Sequence, residues 1–325
     1  MDKRLWDVTA LGELLVDFTQ VGVSERGNPI YEANPGGAPC NVLSMLACLG
    51  HRVAFIGKVG DDIHGTDLIS AAASVGIDTH GIVKDSHVPT TLAFVSNGQD
   101  GEREFSFVRS PGADMMLSRE DVDPDIIRHS RIFHYGTLSS THDNCREATR
   151  YAVEFAQACG AVISFDPNLR LMLWEDPDDA RGQMIWGLDH CHICKMADNE
   201  LEFLYGEGDI GENARKLLAE HNGIKVLFVT CGSRGSKAFT HDIEASYPGY
   251  QVESVDTTGA GDCFLGCALS RMLQRENGLD DLTVDNLTEI LSFANAGAAL
   301  ITTRKGALKS MPSYASIRNL ISQRT

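Results

Sequence analysis

The sequence has little of several features that mark other classes of protein. Proline is scarce, with 10 residues in 325, and 43% of the residues are hydrophobic, so we expect a large buried core and no extensive disorder. No stretch is apolar over the roughly 18 residues that a membrane-spanning helix needs. Basic residues are few, since 45 Asp and Glu outnumber 28 Lys and Arg and the formal net charge is -17. This charge repels nucleic acids and anionic membranes, so we expect neither as a partner.

Signals for export and for a disulfide framework are also lacking. Residues 1–10 include Lys3 and Arg4 but no apolar stretch as long as that of a signal peptide. The nine cysteines are an odd number and are scattered without the spacing of a small disulfide-rich domain. We therefore expect reduced thiols and a cytoplasmic location.

Two segments look like parts of known metal or nucleotide sites and are set aside. Residues 190–194, of sequence HCHIC, contain zinc-ligand types, and Cys263 and Cys267 could be proposed as the other half of a site. We interpret this segment instead as a core strand without structural zinc. Residues 50–58 have the wrong glycine spacing for a P-loop, and Val59 stands where that motif needs Ser or Thr.

Short apolar runs alternate along the chain with longer stretches of helical period. Residues 53–56, 161–165 and 226–230 are typical of buried strands, whereas residues 144–159 repeat their apolar positions at the spacing of a helix. Alternation of this kind predicts an α/β fold, with a mostly parallel central sheet and helices on both faces. Because no repeat or linker divides the chain, we predict a single domain over residues 1–325.

Two segments break this alternation. Residues 14–32 and 91–109 alternate between polar and apolar positions and contain turn residues, Gly27 in the first and Gly98 and Gly101 in the second. This pattern is typical of antiparallel hairpins. We predict that both segments are insertions that form a small β-sheet lid beside the main domain.

The strongest functional signal is the segment 255–262, of sequence VDTTGAGD, which leads directly into a helical run. Small residues let the backbone amides of Gly259, Ala260 and Gly261 approach an anion, and the start of a helix adds the positive end of its dipole. Asp262 follows at once, where a carboxylate could accept the proton of a hydroxyl that attacks a phosphoryl group. A helix cap and a turn would explain a lone pair of glycines. We favour phosphoryl transfer because it explains both the glycines and the carboxylate.

These motifs resemble those of the ribokinase/PfkB carbohydrate-kinase family. The segment 256–262 resembles the C-terminal signature of the family, although Cys267 stands where relatives usually have Ala or Gly, which we expect to be a packing adjustment. Residues 34–41, of sequence NPGGAPCN, resemble the N-terminal signature. The segments 12–17, 57–62 and 166–170 also follow in the family's order, so the resemblance covers nearly the whole chain and is strongest to the fructokinase branch.

The resemblance implies a ribokinase-like three-layer α/β/α sandwich with a small β-sheet lid. It also implies an ATP-dependent sugar kinase that uses Mg²⁺, with phosphorylation of D-fructose to D-fructose 6-phosphate as the specific expectation. Ribose, 2-keto-3-deoxygluconate and nucleosides remain alternative substrates. A non-catalytic sugar-binding regulator on this fold is a rival that an intact Asp262 argues against. An oxidoreductase is not expected, because the first strand leads into residues 12–14, of sequence GEL, which cannot form a dinucleotide turn.

The predicted sugar site draws on the N-terminal signature and on the lid. Glycines there allow a sugar to lie against the backbone, and an amide such as that of Asn41 can bridge adjacent hydroxyls. The resemblance implies that Asp17 binds sugar hydroxyls. Arg109 is expected to project toward the sugar from the second lid segment, where it could also supply the cation that a sugar acid would need. The predicted sugar-binding residues are Glu13, Asp17, Gly36, Gly37, Asn41, Arg109 and Asp262.

The predicted nucleotide site follows from the same resemblance. Arg170 is expected to stabilise charge in the transition state together with the amides of residues 259–261. Glu200 is expected to organise hydrated Mg²⁺, and K⁺ is expected between backbone carbonyls near Asp256 and Thr258. Lids of relatives often form dimer contacts, so a homodimer through the lid is a further expectation. The predicted nucleotide-binding residues are Asn168, Lys195, Glu200, Thr230, Gly232, Gly235, Gly259, Gly261 and Asn295.

Overall fold

The computed structural model describes residues 4–97, 103–275 and 278–323. The strands in this part of the chain are β1 (Trp6–Leu11), β2 (Leu15–Val23), β3 (Pro29–Gly36), β4 (Val53–Gly60), β5 (Ile77–Asp85), β6 (Leu92–Asn97), β7 (Arg103–Val108), β8 (Ser130–Tyr135), β9 (Val162–Phe165), β10 (Ile193–Ala197), β11 (Val226–Thr230), β12 (Ser236–Phe239) and β13 (Glu244–Tyr247). The α-helices are α1 (Ala38–Cys48), α2 (Ile63–Ser74), α3 (Pro124–Arg128), α4 (Asp143–Ala158), α5 (Pro177–Asp189), α6 (Asp198–Tyr205), α7 (Ile210–Glu220), α8 (Ala260–Leu273), α9 (Val284–Ile301) and α10 (Tyr314–Ser322).

Nine of these strands form the central sheet. Their order is β13-β12-β11-β10-β9-β8-β1-β4-β5. The strands from β11 to β5 in this order pair in parallel, and β12 and β13 add two antiparallel pairings at one edge. The mostly parallel sheet that the alternation of strands and helices predicted is therefore confirmed.

The central sheet is covered on both faces. Side chains of successive strand residues lie on opposite faces, so Phe55 and Ile56 of β4 belong to different apolar cores, as do Phe228 and Val229 of β11. The core that contains Phe55 includes apolar side chains of α1, α2, α8, α9 and α10, and the other core includes those of α3 to α7. The helices thus form two outer layers, and the predicted three-layer α/β/α arrangement is confirmed.

A second sheet stands beside the central one. Its strand order is β3-β2-β6-β7, with antiparallel pairing within each hairpin and parallel pairing between β2 and β6. The segments 14–32 and 91–109 supply these strands, and β3 continues past the first segment to Gly36. The predicted turn at Gly98 and Gly101 lies outside the described residues.

The segment 190–194 enters the central sheet. Strand β10 begins at Ile193, and Cys191 and Cys194 are buried in the core beside α5. The Nδ1 atom of His192 accepts a 2.9 Å hydrogen bond from the amide of Ile163. The interpretation as a core strand is therefore confirmed for Ile193 and Cys194, whereas residues 190–192 form the connection from α5 to β10.

Helices α1, α8 and α9 approach each other closely through small residues. An added Cβ at Gly297 of α9 would lie 2.5 Å from Sγ of Cys267, and one at Gly266 would lie 2.6 Å from Cβ of Met45. The larger side chain of Cys267 is thus accommodated because α9 has a glycine opposite it. This close packing fixes α8, whose first turn contains the last three residues of the VDTTGAGD motif. None of the described helices has the length and apolarity needed to cross a membrane.

Candidate active site

Two adjoining cavities lie where the second sheet meets the carboxyl ends of the parallel strands, the usual place for a ligand in an α/β sheet. The larger, of about 420 Å³, lies under the second sheet and is called here the lid-side cavity. The smaller, of about 280 Å³, is bounded by the loops after β11 and β13 and by α9, and is called the loop-side cavity. Both are lined by Thr257, Ala260 and Gly261. The predicted anion-binding segment is thus their common wall.

Glycine is required at one position of this wall and leaves room for a lysine at another. Gly259 has a left-handed backbone with φ of 76°, and an added Cβ would lie 2.7 Å from Cβ of Ala307. An added Cβ at Gly261 would lie 2.9 Å from Nζ of Lys195. Helix α8 begins at Ala260, so its first amides point toward the space between the cavities with the positive end of the helix dipole. This arrangement can bind the phosphate chain of a nucleotide.

Asp262 lies in the first turn of α8 and lines the lid-side cavity. Its side chain is buried, and Nδ2 of Asn41 donates a 2.8 Å hydrogen bond to its Oδ2 atom. Burial raises the pKa of Asp262 to about 6, against the opposing effect of the Asn41 bond. A carboxylate with this pKa is ionised at neutral pH and is basic enough to accept a hydroxyl proton.

Asn41 also presents an acceptor without a partner. Its Oδ1 atom is buried and receives no hydrogen bond from the described part of the protein, although the residue lines the lid-side cavity. Because a buried carbonyl oxygen without a donor is unfavourable, this atom is suited to accept a bond from a ligand hydroxyl.

Two further carboxylates line the lid-side cavity. Burial raises the pKa of Glu13 to about 7 and that of Asp17 to about 6, while Arg170 opposes the effect on Asp17. Oε1 of Glu13 accepts a 2.7 Å bond from the amide of Ala38. Gly37 lines the cavity with φ of 129°, where an added Cβ would contact the backbone oxygen of Glu13.

Gly36 does not line either cavity, contrary to the prediction that it contacts the sugar. An added Cβ at this position would instead meet Oδ2 of Asp17. Strand β3 pairs with β2 so that Gly36 lies opposite Leu15, close to Asp17. The glycine therefore leaves room for the Asp17 carboxylate and affects the cavity only through it.

Arg109 is the clearest departure from the predicted site. Its guanidinium donates bonds of 2.9 and 2.7 Å to Oδ2 of Asp114, a bond of 2.9 Å to Oγ1 of Thr141 and one of 3.2 Å to the carbonyl of Leu138. The side chain is buried and does not line the lid-side cavity. The predicted direct sugar contact is not seen in this structure, because Asp114 holds the guanidinium behind the cavity wall.

Lys195 supplies a fixed positive charge beside the anion-binding segment. Its Nζ atom lies 3.0 Å from Oδ2 of Asp166, and both side chains are buried. Burial alone would lower the pKa of Lys195, but the carboxylates of Asp166 and Glu200 outweigh burial and raise it. Lys195 lines the lid-side cavity and is therefore a charged group in reach of the phosphate chain. Asp166 received no role from the sequence, although it opens the segment 166–170.

Glu200 holds the backbone around the site. Its Oε1 atom accepts a 2.7 Å bond from the amide of Leu169, and Oε2 accepts one of 2.7 Å from the amide of Ala197. These bonds fix the loop that carries Asn168, whose φ is 43°, and the exposed Arg170, both of which line the lid-side cavity. Since Glu200 itself lines neither cavity, its predicted contact with Mg²⁺ would have to pass through water.

Asp256 and Thr258 are bonded to each other. Oδ1 of Asp256 accepts bonds of 2.9 Å from the amide and 2.7 Å from the hydroxyl of Thr258, and Oδ2 accepts one of 3.1 Å from the amide of Gly306. Their side chains thus shape the loop before α8. The predicted K⁺ site, which would use backbone carbonyls, remains a prediction.

The loop-side cavity is lined by five of the predicted nucleotide residues, namely Thr230, Gly232, Gly235, Gly261 and Asn295. Ala298 and Ala299 of α9 give it a wall of small side chains on which a flat ring could lie. Asn295 is already bonded on both sides, since its Nδ2 donates to the carbonyl of Tyr247 at 2.9 Å and Oγ of Ser236 donates to its Oδ1 at 2.8 Å. Asn295 therefore holds the end of β13 in place, and both polar atoms of its amide already have protein partners.

The sequence interpretation also missed the apolar roof of the lid-side cavity. Val95 of β6 and Phe107 of β7 line it from the second sheet, and Leu138 lines it from the loop after β8. The signal was present, because apolar residues alternate with polar ones along both lid strands and one face of each strand must be covered.

The site combines a buried carboxylate with a helix start that can bind an anion. One of its two cavities is suited to a polyol and the other to a nucleotide, and this combination is that of a kinase that phosphorylates a small hydroxyl compound. The comparison with known families agrees. The model of the pfkB family carbohydrate kinases matches residues 7–313, and the chain belongs to this family. It is therefore a carbohydrate kinase, and the predicted resemblance is confirmed.

Known relatives match over almost the full length. The chain is 41% identical to fructokinase-1 of Zea mays over 316 residues, which cover 97% of each protein. The crystal structure of a fructokinase with bound ATP from Xylella fastidiosa has a TM-score of 0.89 at 31% identity and covers 98% of this chain and 99% of that one. A double-mutant fructokinase from Vibrio cholerae O395, with fructose, ADP and potassium ion bound, has a TM-score of 0.86 at 27% identity and covers 99% and 100%.

Proposed function

We propose that this carbohydrate kinase transfers the γ-phosphoryl group of ATP to D-fructose and forms D-fructose 6-phosphate. The observation that carries the proposal is the position of Asp262, which lines the lid-side cavity in the first turn of the helix that borders both cavities. A hydroxyl bound there would lie next to both its base and the phosphoryl group. The similarity to plant and bacterial fructokinases supports fructose as the sugar.

The charges of the lid-side cavity favour a neutral polyol. Glu13, Asp17 and Asp262 offer carboxylate oxygens that accept bonds from hydroxyls and repel a carboxylate on the sugar, whereas Lys195 and Arg170, which line the same cavity, are assigned to the phosphoryl group. Arg109, which would have been needed for a sugar acid, is paired with Asp114 behind the wall. These contacts argue against 2-keto-3-deoxygluconate. They do not separate fructose from ribose, so the choice between these sugars rests on the relatives.

The proposed nucleotide position follows from the shape of the two cavities. The base and ribose of ATP would occupy the loop-side cavity against Ala298 and Ala299, and the phosphate chain would cross the wall formed by Ala260 and Gly261. The γ-phosphoryl group would then enter the lid-side cavity beside Lys195.

The residues of the chain can carry the transfer in one step. As the sugar hydroxyl attacks the γ-phosphorus, Asp262 accepts its proton and the bond to the β-phosphate breaks. The amides at the start of α8, the ammonium of Lys195 and the guanidinium of Arg170 stabilise the charge that shifts to the leaving oxygen. Exclusion of water by the second sheet would strengthen these interactions.

Metal ions belong to the proposal as partners of ATP. Mg²⁺ supplies neutralisation of the phosphate charges, which a protein of net charge -17 would otherwise repel. Glu200 fits this ion only through water, because both of its oxygens already accept backbone bonds. The carbonyls of the loop between Asp256 and Thr258 are the proposed place for K⁺.

The cellular setting and the assembly are also proposals. All nine cysteines are free, which fits the proposed cytoplasmic location. The second sheet exposes Val21, Val23, Ile30 and Tyr31, and these side chains could be covered by a second copy in the proposed lid-to-lid dimer. Sedimentation of the purified protein measures whether that dimer forms.

The test is ADP release coupled to a readout enzyme, measured with saturating MgATP across fructose, ribose, glucose, 2-keto-3-deoxygluconate and adenosine. Fructose should give the highest kcat/KM, and phosphorus NMR should place the product phosphate on O6. A higher kcat/KM for another compound would replace fructose in the proposal. Absence of ADP release with every compound would favour the sugar-binding regulator.

A further inference from the structure

We propose that Asp114 is a positioning residue, which anchors both ends of the β6–β7 hairpin and thereby sets the affinity of the kinase for its sugar. The inference rests on the proposed function, because it takes the lid-side cavity as the sugar site. Thr91 directly precedes β6 and Arg109 directly follows β7. Leu92 pairs with Val108 in the sheet, so Thr91 and Arg109 face each other at the base of the hairpin.

One carboxylate binds both of these residues. Oδ1 of Asp114 accepts a bond from the hydroxyl of Thr91, and Oδ2 accepts bonds of 2.9 and 2.7 Å from Nε and Nη2 of Arg109. The exposed fractions are 1% for Thr91, 8% for Arg109 and 6% for Asp114. Charged bonds with two donor atoms of one guanidinium fix geometry as well as distance, and burial protects them from screening by salt.

The anchor is itself attached to the main domain. Asp114 belongs to a short 3-10 helix (Ala113–Met116), and the amide of Ala113 donates a 2.9 Å bond to the carbonyl of Pro89. Arg109 reaches in the other direction to Thr141 and to the carbonyl of Leu138, which lines the cavity. The hairpin base is thus bonded to the loops on both of its sides.

The anchored face of the hairpin is the face that covers the cavity. Side chains alternate along a strand, so Val95 lies on the same face as Thr91, and Phe107 lies on the same face as Arg109. Val95 and Phe107 form the roof of the lid-side cavity. A tilt of the hairpin at its base would therefore move both roof side chains relative to Glu13, Asp17 and Asp262.

The role differs from that of a catalytic residue, because Asp114 lines neither cavity. Loss of the anchor should weaken the binding of the sugar and leave the nucleotide, whose cavity is built from other elements, unaffected. A merely structural role would lower the stability of the whole domain and would not separate the two substrates. The ratio of the two KM values is therefore the informative quantity.

Two substitutions test the anchor at different strengths. Asp114→Asn removes the charge but keeps the size, and Thr91→Val removes only the hydroxyl bond and leaves the ion pair. We expect the sugar KM to rise about tenfold or more in Asp114→Asn and by a smaller factor in Thr91→Val, because displaced binding groups lose affinity steeply. The KM for MgATP should stay within about threefold in both. Amide exchange in residues 92–97 and 103–108 should become faster.

Asp179→Asn serves as a control for the loss of an arginine-carboxylate pair at a more exposed place. Asp179 accepts a 2.6 Å bond from Arg146 and lines neither cavity, so its loss also breaks an arginine-carboxylate pair. This variant should keep both KM values. Equal increases in the sugar and MgATP constants, or unchanged constants in both anchor variants, would overturn the proposal. If Asp114→Asn does not fold, the test rests on Thr91→Val alone. A rise in the sugar KM only would support the anchor, and equal or unchanged KM values for sugar and MgATP would overturn it.

The wild-type protein is assayed in parallel on the whole panel of sugars. If fructose is not the preferred compound, the proposed function fails. The anchor is then tested with the preferred sugar. If fructose is preferred but the sugar KM does not change in the variants, only the anchor fails.

Discussion

Nδ2 of Asn41 donates a 2.8 Å hydrogen bond to Oδ2 of Asp262, although the two residues are 221 positions apart in the chain. Asn41 belongs to α1 and Asp262 to α8, and the close packing of these helices brings the two side chains together. The bond orients the carboxylate and leaves Oδ1 of Asn41 free to accept a hydroxyl. The N-terminal and C-terminal signatures of the sequence thus build one site.

Replacement of Asp262 tests its role as the base. Asp262→Asn keeps the size and can still accept the bond from Asn41, but it cannot take the hydroxyl proton. Because general-base catalysis contributes about 10²–10⁴-fold, kcat should fall by about this factor while the dissociation constants for sugar and ATP stay within a few-fold. Calorimetry and single-turnover kinetics measure both. Near-normal turnover in a folded variant would leave Asp262 as a helix-start residue only.

The pH profile should show the carboxylates of the lid-side cavity. Burial raises the pKa of both Asp262 and Asp17 to about 6 and that of Glu13 to about 7. All three must be ionised, one to accept the proton and two to bind hydroxyls, so kcat/KM for the sugar at saturating MgATP should decrease below about pH 7 with a limiting slope near 3. In Asp17→Asn the slope should approach about 2. An acid limb that ends well below pH 5 would contradict these raised pKa values.

The ionised carboxylate of Asp17 should lower the free energy of unfolding although it contributes to sugar binding. Because burial raises its pKa from an ordinary value near 4 to about 6, the folded protein holds the proton more tightly than the unfolded chain, and the ionised form is disfavoured. The cost is absent below about pH 4, develops up to about pH 6 and is complete above it. Asp17→Asn should therefore raise the free energy of unfolding by about 1–2 kcal/mol at pH 8 and by little at pH 4.

The same substitution should weaken the sugar site. Removal of a carboxylate that binds hydroxyls in both the ground state and the transition state should raise the sugar KM at least about tenfold and change kcat less. Chemical denaturation at pH 4 and pH 8, together with steady-state kinetics, measures the two effects. A destabilised Asp17→Asn at pH 8 would show that the ionised carboxylate has a partner that offsets its burial.

Substitution of Gly259 should affect the nucleotide. Its left-handed backbone and the 2.7 Å approach of an added Cβ to Ala307 mean that Gly259→Ala must shift the start of α8. We expect the KM for MgATP to rise at least about tenfold, since displaced groups lose affinity steeply. Gly50→Ala is the control, because Gly50 has φ of 89° but open space around its Cβ. It should cost about 1 kcal/mol of stability without a change in KM. An equal KM for MgATP in the two variants would show that Gly259 is not needed for nucleotide binding.

The sequence was sufficient where chemistry restricts the choice of residue at a position. The glycines of the segment 255–262 and the carboxylate after them were identified because small residues let amides approach a phosphate, and Asn41 was identified because it lies in the segment that resembles the N-terminal signature. The strands were identified because a parallel sheet covered on both faces needs continuous apolar runs, such as residues 226–230. These features are local, so a pattern can reveal them.

Features that depend on distant partners were not predictable in this way. Whether Arg109 is free or paired depends on Asp114, which a short 3-10 helix brings back to the end of β7. From the sequence, Asn295 resembles a ligand-binding amide. In the structure its amide is already bonded to Ser236 of β12 and to Tyr247 of β13. Glu200 likewise lies behind the site because two backbone amides converge on it. For each of these residues the side-chain type indicated a polar role near the site, but the partners that bond it depend on the fold.

The two cavities of the site are lined by different parts of the chain. The loop-side cavity is lined entirely by residues between Thr230 and Thr302, whereas the roof of the lid-side cavity and two of its four acidic residues, Glu13 and Asp17, precede residue 139. Under the proposed function, mutations in the first part of the chain would therefore alter the choice of sugar and leave the nucleotide cavity unchanged. A gene of this kind could then acquire a new acceptor through changes in its first half alone, because the proposed nucleotide site and the proposed base are encoded in the second.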